Sequence, residues 1–192
     1  MAGIGACYPC FAPFEGAEPE SGMPTYGDKI VIGGLVQANL TPNFTAAKLS
    51  ADDATKEDWS RATSGTIAVE TDDILEKNEA VIYGATYDEE TGELKHKDDD
   101  VPPYGGFGYY KTLIRNNKYQ YKVYFYPKVK ATLGPDNAQT MSESPTFQTS
   151  QLTFTAYPLK DHDWYSKNVF DTAAEAKAYI DGLFAGTETP QD

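Results

Sequence analysis

Alternation of apolar and polar residues is strongest in the second half of the chain. It predicts two strands, Phe107–Arg115 and Lys118–Lys130, which meet at Asn116-Asn117, a pair that tolerates the positive φ of a tight hairpin turn. Strict alternation over Phe147–Tyr157 predicts another strand. Ala62–Glu70 also alternates, as a half-buried strand does. These segments indicate a chain built mainly from antiparallel strands.

The first half of the chain gives weaker signals. Lys29–Leu40 predicts one or two strands with a bulge or bend at Gly33-Gly34. Residues 41–61 are polar and charged, which predicts a long loop with one short strand around Ala47–Ala51. A loop of that length in a small domain is usually functional.

Two short helices are predicted. Thr71 and the acidic residues after it are suited to the start of a helix over 74–81, which Gly84 would end. Thr172 and Glu175 form a capping box for a second helix ending near Phe184. Its apolar stripe comprises Ala176, Tyr179, Ile180 and Leu183. The predicted fold class is mainly β, a β-sandwich or half-barrel with a flanking helix.

The two ends of the chain differ from the middle. Residues 1–27 are rich in glycine and proline, which excludes a helix and predicts an extended N-terminal arm. Its aromatic residues predict that the arm docks on a surface, with Tyr8, Phe11 and Phe14 as candidate arm contacts. Residues 28–185 are expected to form the β domain, and residues 186–192 a flexible tail.

Charge narrows the function classes. The 192 residues carry 16 Lys and Arg against 29 Asp and Glu, a net charge of −13. Tight binding of nucleic acid needs Lys and Arg at the phosphates, so this balance argues against a protein that grips DNA or RNA. The charge balance does not exclude a surface along which a polyanion slides without adhering. No apolar run approaches the roughly 18 residues of a membrane span, and no secretory signal is expected.

A search for catalytic chemistry finds no convincing site. Cys7-Tyr-Pro-Cys10 has redox spacing, but it lies in a Gly/Pro segment and not between a strand and a helix. His96 and His162 have no ligand partners at zinc spacing. Asp98-Asp-Asp100 lacks the glycine and final glutamate of a calcium loop. The chain is therefore expected not to be an enzyme and to hold no cofactor or metal.

Several motifs occur together in a fixed order. They are Pro103-Tyr-Gly-Gly-Phe-Gly-Tyr-Tyr110, Lys118-Tyr-Gln-Tyr-Lys-Val123, Tyr126-Pro-Lys-Val-Lys130, Pro145-Thr-Phe-Gln-Thr-Ser-Gln-Leu-Thr-Phe154 and Val169-Phe-Asp-Thr-Ala-Ala-Glu-Ala-Lys-Ala-Tyr-Ile180. Together they resemble the major tail proteins of long-tailed, non-contractile bacteriophages, specifically the phi13-type group. The resemblance covers roughly residues 26–184.

The resemblance implies a structural virion protein. Such subunits are β-sandwiches with a flanking helix that polymerise as stacked hexameric rings and join four strands each into an inner barrel. The tube is the conduit for phage DNA, which passes through the lumen without specific binding. The implied partners are other copies of the chain, the tape measure protein, and the tail terminator and distal tail proteins. The implied location is the virion tail, assembled in the cytoplasm of the bacterial host.

The resemblance also gives the polar segment a role. Tail tube relatives commonly use a long loop and terminal arms to reach the adjacent ring. The candidate inter-ring contacts are Lys48, Asp52, Asp53, Lys56, Glu57, Asp58, Trp59 and Arg61.

Two alternatives stay open. The chain could be the tube subunit of a phage-derived particle, such as a tail-like bacteriocin or a gene transfer agent. It could also be a carbohydrate- or surface-binding β-sandwich, which its 14 tyrosines and two tryptophans would suit.

Overall fold

The computed structural model describes residues 2–51, 54–134 and 148–186, with only the backbone described at residues 2, 48–51 and 54–58. Within these ranges the chain forms ten strands and two helices. The elements are β1 (Ala2–Pro13), β2 (Ile30–Val31), β3 (Leu35–Ala51), β4 (Ala54–Thr71), α1 (Glu76–Tyr83), β5 (Thr86–Asp88), β6 (Glu93–Lys95), β7 (Tyr104–Arg115), β8 (Lys118–Thr132), β9 (Ser150–Ala156), β10 (Ser166–Phe170) and α2 (Ala173–Phe184). The prediction of a mainly β chain is confirmed.

Eight strands form one antiparallel sheet in the order β2-β1-β7-β8-β9-β4-β3, with β10 added beside β8. Two strands share the free side of β8. β10 pairs with residues 121–125, and β9 pairs with residues 129–132. The short strands β5 and β6 form a separate hairpin.

The large sheet is rolled. β2 and β3 lie at its opposite edges, six strand steps apart, which would separate them by about 29 Å in a flat sheet. Only the residues 32–34 join them, and the four residue steps from Val31 to Leu35 span at most about 14 Å. The linker is fixed at both edges, because Ile32 N donates to Pro9 O and Asp72 N donates to Gly34 O, each at 2.9 Å.

This linker contains the bend predicted at Gly33-Gly34. A Cβ on Gly33 would lie 2.2 Å from the Asp73 carbonyl oxygen, so a side chain has no room there. The glycine therefore lets the chain cross from one edge of the rolled sheet to the other.

The main core lies inside the roll and is aromatic. Phe154 of β9 stacks on Phe107 of β7 with ring centroids 5.0 Å apart and on Phe11 of β1 at 5.6 Å. Ile82 and Tyr83 of α1 also belong to this cluster. Strands from both halves of the sheet thus share one interior.

Helix α2 covers the other face of the central strands. Its residues Ala176, Ile180 and Phe184 pack in one cluster with Val123 and Phe125 of β8. The capping box predicted for this helix is present: Glu175 N donates to Thr172 Oγ1 at 3.2 Å, and Thr172 N donates to Glu175 Oε2 at 3.1 Å. The predicted helix and its buried stripe are confirmed, with Tyr179 and Leu183 at the margin.

The glycine-rich start of β7 is explained by this packing. A Cβ on Gly106 would lie 2.7 Å from the Tyr26 ring and 3.0 Å from the Phe184 ring. Glycine at this position allows α2 and residue Tyr26 to approach the sheet closely.

The hairpin turn is confirmed and the first helix is shifted. Asn116 and Asn117 both have positive φ, 50° and 60°. α1 begins at Glu76 after Leu75 and not after Thr71, because Thr71 is the buried last residue of β4. Gly84 ends the helix at φ 71°, as predicted.

The N-terminal segment is more than an arm. Residues 2–13 form β1, which lies between β2 and β7 inside the sheet. β1 is extended, as predicted. The prediction that this segment is an arm separate from the β domain is wrong for residues 2–13, because they belong to the sheet. Its pairing with β7 shifts register between Cys7 and Cys10, where Tyr8 adopts φ 62°. This bulge accommodates the Tyr-Pro pair, because of which the sequence does not indicate a strand here.

The predicted long loop over residues 41–61 is also wrong. Residues 41–51 and 54–61 lie in β3 and β4, which pair along their whole described length. Residues 41–47 and 59–61, whose side chains are described, are exposed on both faces, so this part lacks the apolar alternation from which a strand is predicted.

The strand predicted over Phe147–Tyr157 is observed as β9, and Phe147 lies outside the described residues. Residues 187–192 of the predicted tail lie outside them as well. No helix in the described ranges has the length and apolar character needed to cross a membrane.

Candidate assembly interface

The longest projection from the sheet is the β3–β4 hairpin. β4 pairs with β9 only from Gly65 to Thr71, whereas β3 and β4 continue to pair with each other from Phe44–Ala62 to Ala51–Ala54. We call residues 44–51 and 54–62 the projecting hairpin. Its seven residue steps correspond to about 23 Å of strand beyond the sheet.

Two large apolar side chains lie exposed on the projecting hairpin. Trp59 pairs with Ala47 and Phe44 pairs with Ala62. Cross-strand partners share a face and successive residues alternate, so the two aromatic rings lie on opposite faces. Phe44 is 64% exposed and Trp59 is 54% exposed. A two-stranded ribbon is marginally stable alone, so a partner that covers both faces would stabilise it.

The base of the projecting hairpin is attached to its own chain. Arg61 Nη2 lies 2.9 Å from His162 Nδ1, a hydrogen bond that the guanidinium donates. His162 sits in a turn at φ 75°. Arg61, a candidate inter-ring contact, thus has an internal partner, whereas the Trp59 side chain is open to solvent.

The other candidate contacts on this segment are placed only by register. Lys48 pairs with Asp58 and Leu49 pairs with Glu57 across the two strands. Lys56 lies on β4 close to the turn, and Asp52 and Asp53 lie outside the described residues.

The candidate contacts near the N-terminus face the chain's own core and helix. Phe11 is fully buried and Phe14 lies 5.7 Å from the Tyr26 ring. Tyr8 donates a hydrogen bond to Asp181 Oδ1 at 2.9 Å, and Lys29 forms an ion pair with the same carboxylate. Burial is the main cause that raises the pKa of Tyr8, which keeps its hydroxyl a donor. The predicted docking of this segment is therefore internal.

The two cysteines have different environments. Cys10 is buried and Cys7 is exposed. Burial raises the pKa of the Cys10 thiol to about 12, against a smaller lowering by the Lys29 ammonium. At pH 8 a pKa of that size leaves about one Cys10 in ten thousand as the reactive thiolate.

Alkylation should therefore distinguish the two cysteines. When the reduced, folded protein is treated with iodoacetamide at pH 8, we expect one label, on Cys7. In guanidinium chloride both cysteines should be labelled. Peptide mass spectrometry measures the result, and equal labelling of Cys7 and Cys10 in the folded protein would contradict the buried position of β1.

One strand edge of the sheet is open over a long stretch. β3 pairs with β4 alone, so its other edge has no strand partner among the described residues. On this side of β1, β2 pairs with Cys10 and Phe11, and Ile32 N and Gly27 N donate to Pro9 O and Pro13 O, so within the described residues the open part of β1 is residues 2–8. Unpaired edges present backbone N–H and C=O groups to a further strand. Pro42 on β3 removes one such donor, as prolines on edge strands do.

The described residues contain no group of three or more His, Cys, Asp or Glu side chains that could hold a metal ion. The absence of a catalytic, cofactor or metal site stays a prediction. Comparisons of the sequence with models of known families and with curated proteins give no match.

Proposed function

We propose that the chain is the major tail tube subunit of a long-tailed, non-contractile bacteriophage. In this proposal the subunits polymerise as stacked hexameric rings and form the conduit through which phage DNA enters the host. The protein then resides in the virion tail, with the tape measure, tail terminator and distal tail proteins as its other partners. The support from sequence is the ordered set of motifs between residues 103 and 180.

The observation that carries the proposal is the projecting hairpin. It extends about 23 Å beyond the sheet and exposes Phe44 and Trp59 on opposite faces. In a stacked assembly, neighbouring subunits can cover both faces at once. Tryptophan is among the residues that contribute most to binding when they enter a pocket, so Trp59 is the strongest candidate anchor.

The open strand edges suit the same proposal. A ring needs each subunit to continue its sheet into the next, and the outer edge of β3 has no strand partner among the described residues. Six subunits with four strands each would give 24 strands. At a spacing of about 4.8 Å and a tilt of about 40°, they close into a circle of about 48 Å across the backbone. About 38 Å would remain inside the side chains, enough for duplex DNA.

Electron microscopy of the purified protein tests the proposal. Rings or tubes with a central channel of that width are expected. Persistent monomers that bind glycans would overturn it in favour of the carbohydrate-binding alternative. Tubes taken from native particles that lack a phage genome would instead support the phage-derived particle.

Removing the projecting hairpin should separate folding from assembly. We expect a variant that joins Ala46 to Ser60 through Asn-Gly to fold, because residues 47–51 and 54–59, the described part of the deleted segment, pair only with each other, and to form no long tubes. The variant keeps Arg61 and its contact with His162. Circular dichroism would check folding and electron microscopy would check assembly.

The Trp59→Ala and Thr45→Ala variants give a matched pair on the same hairpin. The first should shorten or abolish tubes, and the second should not. If the variant that lacks the projecting hairpin forms tubes of normal length, the stacking contact lies elsewhere.

A further inference from the structure

Charge is distributed unevenly along this acidic chain. Residues 70–100 contain twelve carboxylates against three lysines, a net charge of −9. The next 34 residues, 101–134, contain five lysines and one arginine and no carboxylate, a net charge of +6. Adjacent segments of the sequence therefore have strongly opposite charge.

The fold places the acidic segment at one end of the sheet and the turn of the basic segment at the other, while β7 and β8 of the basic segment run between the two ends. The acidic residues lie on α1 and the β5–β6 hairpin, where Ile74, Glu79 and Tyr83 line one cleft with Leu133 and Gly134, just after β8. Tyr83 also contacts the His96 ring at 6.1 Å, which holds the β5–β6 hairpin beside α1. We call α1 with residues 84–100 the acidic end.

The opposite end of β8 is the turn of the β7–β8 hairpin. Its exposed residues Ile114, Arg115, Lys118 and Tyr119 form what we call the basic tip. Lys118 and Thr132 lie 14 residue steps apart, so the basic tip and the acidic end are separated by up to about 46 Å of strand.

The cations near the basic tip have no carboxylate partners. Neither Arg115 nor Lys118 forms an ion pair within the described residues, and the same holds for the paired lysines Lys111 and Lys122 behind them. By contrast Lys128, further along β8, pairs with Glu18 at 2.6 Å. The cations at this end thus lack an ion-pair partner among the described residues, although one carboxylate, Asp171, accepts a hydrogen bond from Gln120 close by.

The acidic end has matching unpaired groups. Asp98 and Asp99 are exposed and form no ion pair or side-chain hydrogen bond within the described residues, and Glu90 is similar. Other carboxylates here have structural roles, because Asp88 and Asp100 accept backbone N–H groups in their turns. The unpaired carboxylates are therefore free for an external partner.

The basic tip also has an apolar component. Ile114 and Tyr119 pair across β7 and β8, and Tyr119 is 61% exposed. Tyrosine and arginine are both enriched at protein interfaces, so Tyr119 and Arg115 are the residues here most suited to such a contact.

The projecting hairpin reaches towards the same end as the basic tip. β4 and β8 each pair antiparallel with β9 and hence run in the same direction. Their first residues, Ala54 and Lys118, therefore lie at the same end of the sheet. One end of the molecule carries both projections, and the other end carries the excess of carboxylates.

We propose that the basic tip of one copy docks on the acidic end of the next copy, so that subunits stack head to tail. The partner is a second copy because the two complementary surfaces occur on the same chain at opposite ends. Such a contact is heterologous, and where its rotation does not close a ring it repeats as an open stack. The inference rests on the proposed tube function and names the surface that joins successive rings.

Charge reversal tests the inference directly. One variant carries Arg115→Glu and Lys118→Glu, and the other carries Asp98→Lys and Asp99→Lys. Each alone would face like charge across the contact, and we expect its critical concentration for tube formation to rise about tenfold or more. In an equimolar mixture each reversed surface meets its complement, so tubes should return. Sedimentation and electron microscopy measure both results.

Each outcome bears on one proposal. Wild-type assembly that weakens with added salt, together with rescue by mixing, supports the docking. If each folded variant assembles like the wild type, or if mixing fails to restore tubes, the docking is overturned while the tube function stands. If the wild type forms no rings or tubes, the tube function itself fails. Loss of duplex DNA binding with unchanged assembly in the Arg115→Glu and Lys118→Glu protein would overturn the docking in favour of a polyanion site.

Neutral substitutions check that the effect of the charge reversal does not come from misfolding. Arg115→Gln with Lys118→Gln removes the charge without adding a carboxylate at the hairpin turn. It should give a smaller increase in critical concentration than the reversal. An increase equal to that of the reversal in a folded protein would contradict an electrostatic contact.

Discussion

Replacing Ile180 with Asp is expected to lower the free energy of unfolding by about 4 kcal/mol, a large share of the roughly 5–15 kcal/mol of a typical domain. Ile180 is fully buried between α2 and the sheet. Its cluster consists of apolar groups such as Val123 and Phe125. The new carboxylate would lose its hydration, and the cavity left by the shorter side chain adds to the cost.

Urea unfolding followed by fluorescence would measure the effect. The matched control is Ala178→Asp, which adds the same group on the exposed face of α2. It should change stability by less than about 1 kcal/mol. Equal midpoints for the two variants would show that α2 does not cover the sheet in solution.

Phe11→Ala is expected to destabilise the protein by about 3–5 kcal/mol, the usual cost of removing a buried phenylalanine. Phe11 lies in the centre of the aromatic core, where its ring stacks on Phe154. Neighbouring Cys10 faces the α2 cluster, so β1 is buried on both sides at this point.

The control for this variant is Ile4→Ala on the same strand. Ile4 is largely exposed, so its loss should cost less than about 1 kcal/mol. Thermal and urea unfolding of both variants distinguish an internal strand from a free arm. A Phe11→Ala protein that is as stable as the wild type but fails to assemble would restore the interpretation of residues 1–27 as an arm.

These two core variants also define what an assembly defect means. Both replaced side chains are internal, whereas Trp59, Arg115 and Lys118 lie on the surface. A surface variant that retains the unfolding midpoint of the wild type and forms no tubes has therefore lost a contact between copies. The stability measurements should precede any interpretation of electron micrographs.

Local signals in the sequence determined several elements correctly. The capping box at Thr172 and Glu175 and the apolar stripe through Ile180 involve residues three or four positions apart, so they fix α2 without knowledge of the rest of the chain. The turn at Asn116-Asn117 and the alternation beside it likewise specify the β7–β8 hairpin. The excess of carboxylates is likewise known from the sequence alone, because it is a property of composition.

Only the tertiary structure decided the place of the other strands. β1 pairs with β7, about a hundred positions later in the chain, and Cys10, Phe11 and Ala12 are buried in succession because both of its faces are covered. A strand buried on both sides shows no alternation, and its glycines and prolines indicated an arm. The prediction for the projecting hairpin was wrong for the opposite reason, because its described side chains at residues 44–47 and 59–61 are exposed on both faces and show no period of two.

The candidate interface depends on the fold in the same way. The sequence placed charged residues and Trp59 in one polar segment, but it could not show that Trp59 and Phe44 lie on opposite faces of a ribbon. Nor could it show that the acidic residues 70–100 and the turn of the β7–β8 hairpin lie at opposite ends of β8. Composition fixes the amount of charge on the chain, whereas the direction and length of the strands fix where that charge meets a neighbour.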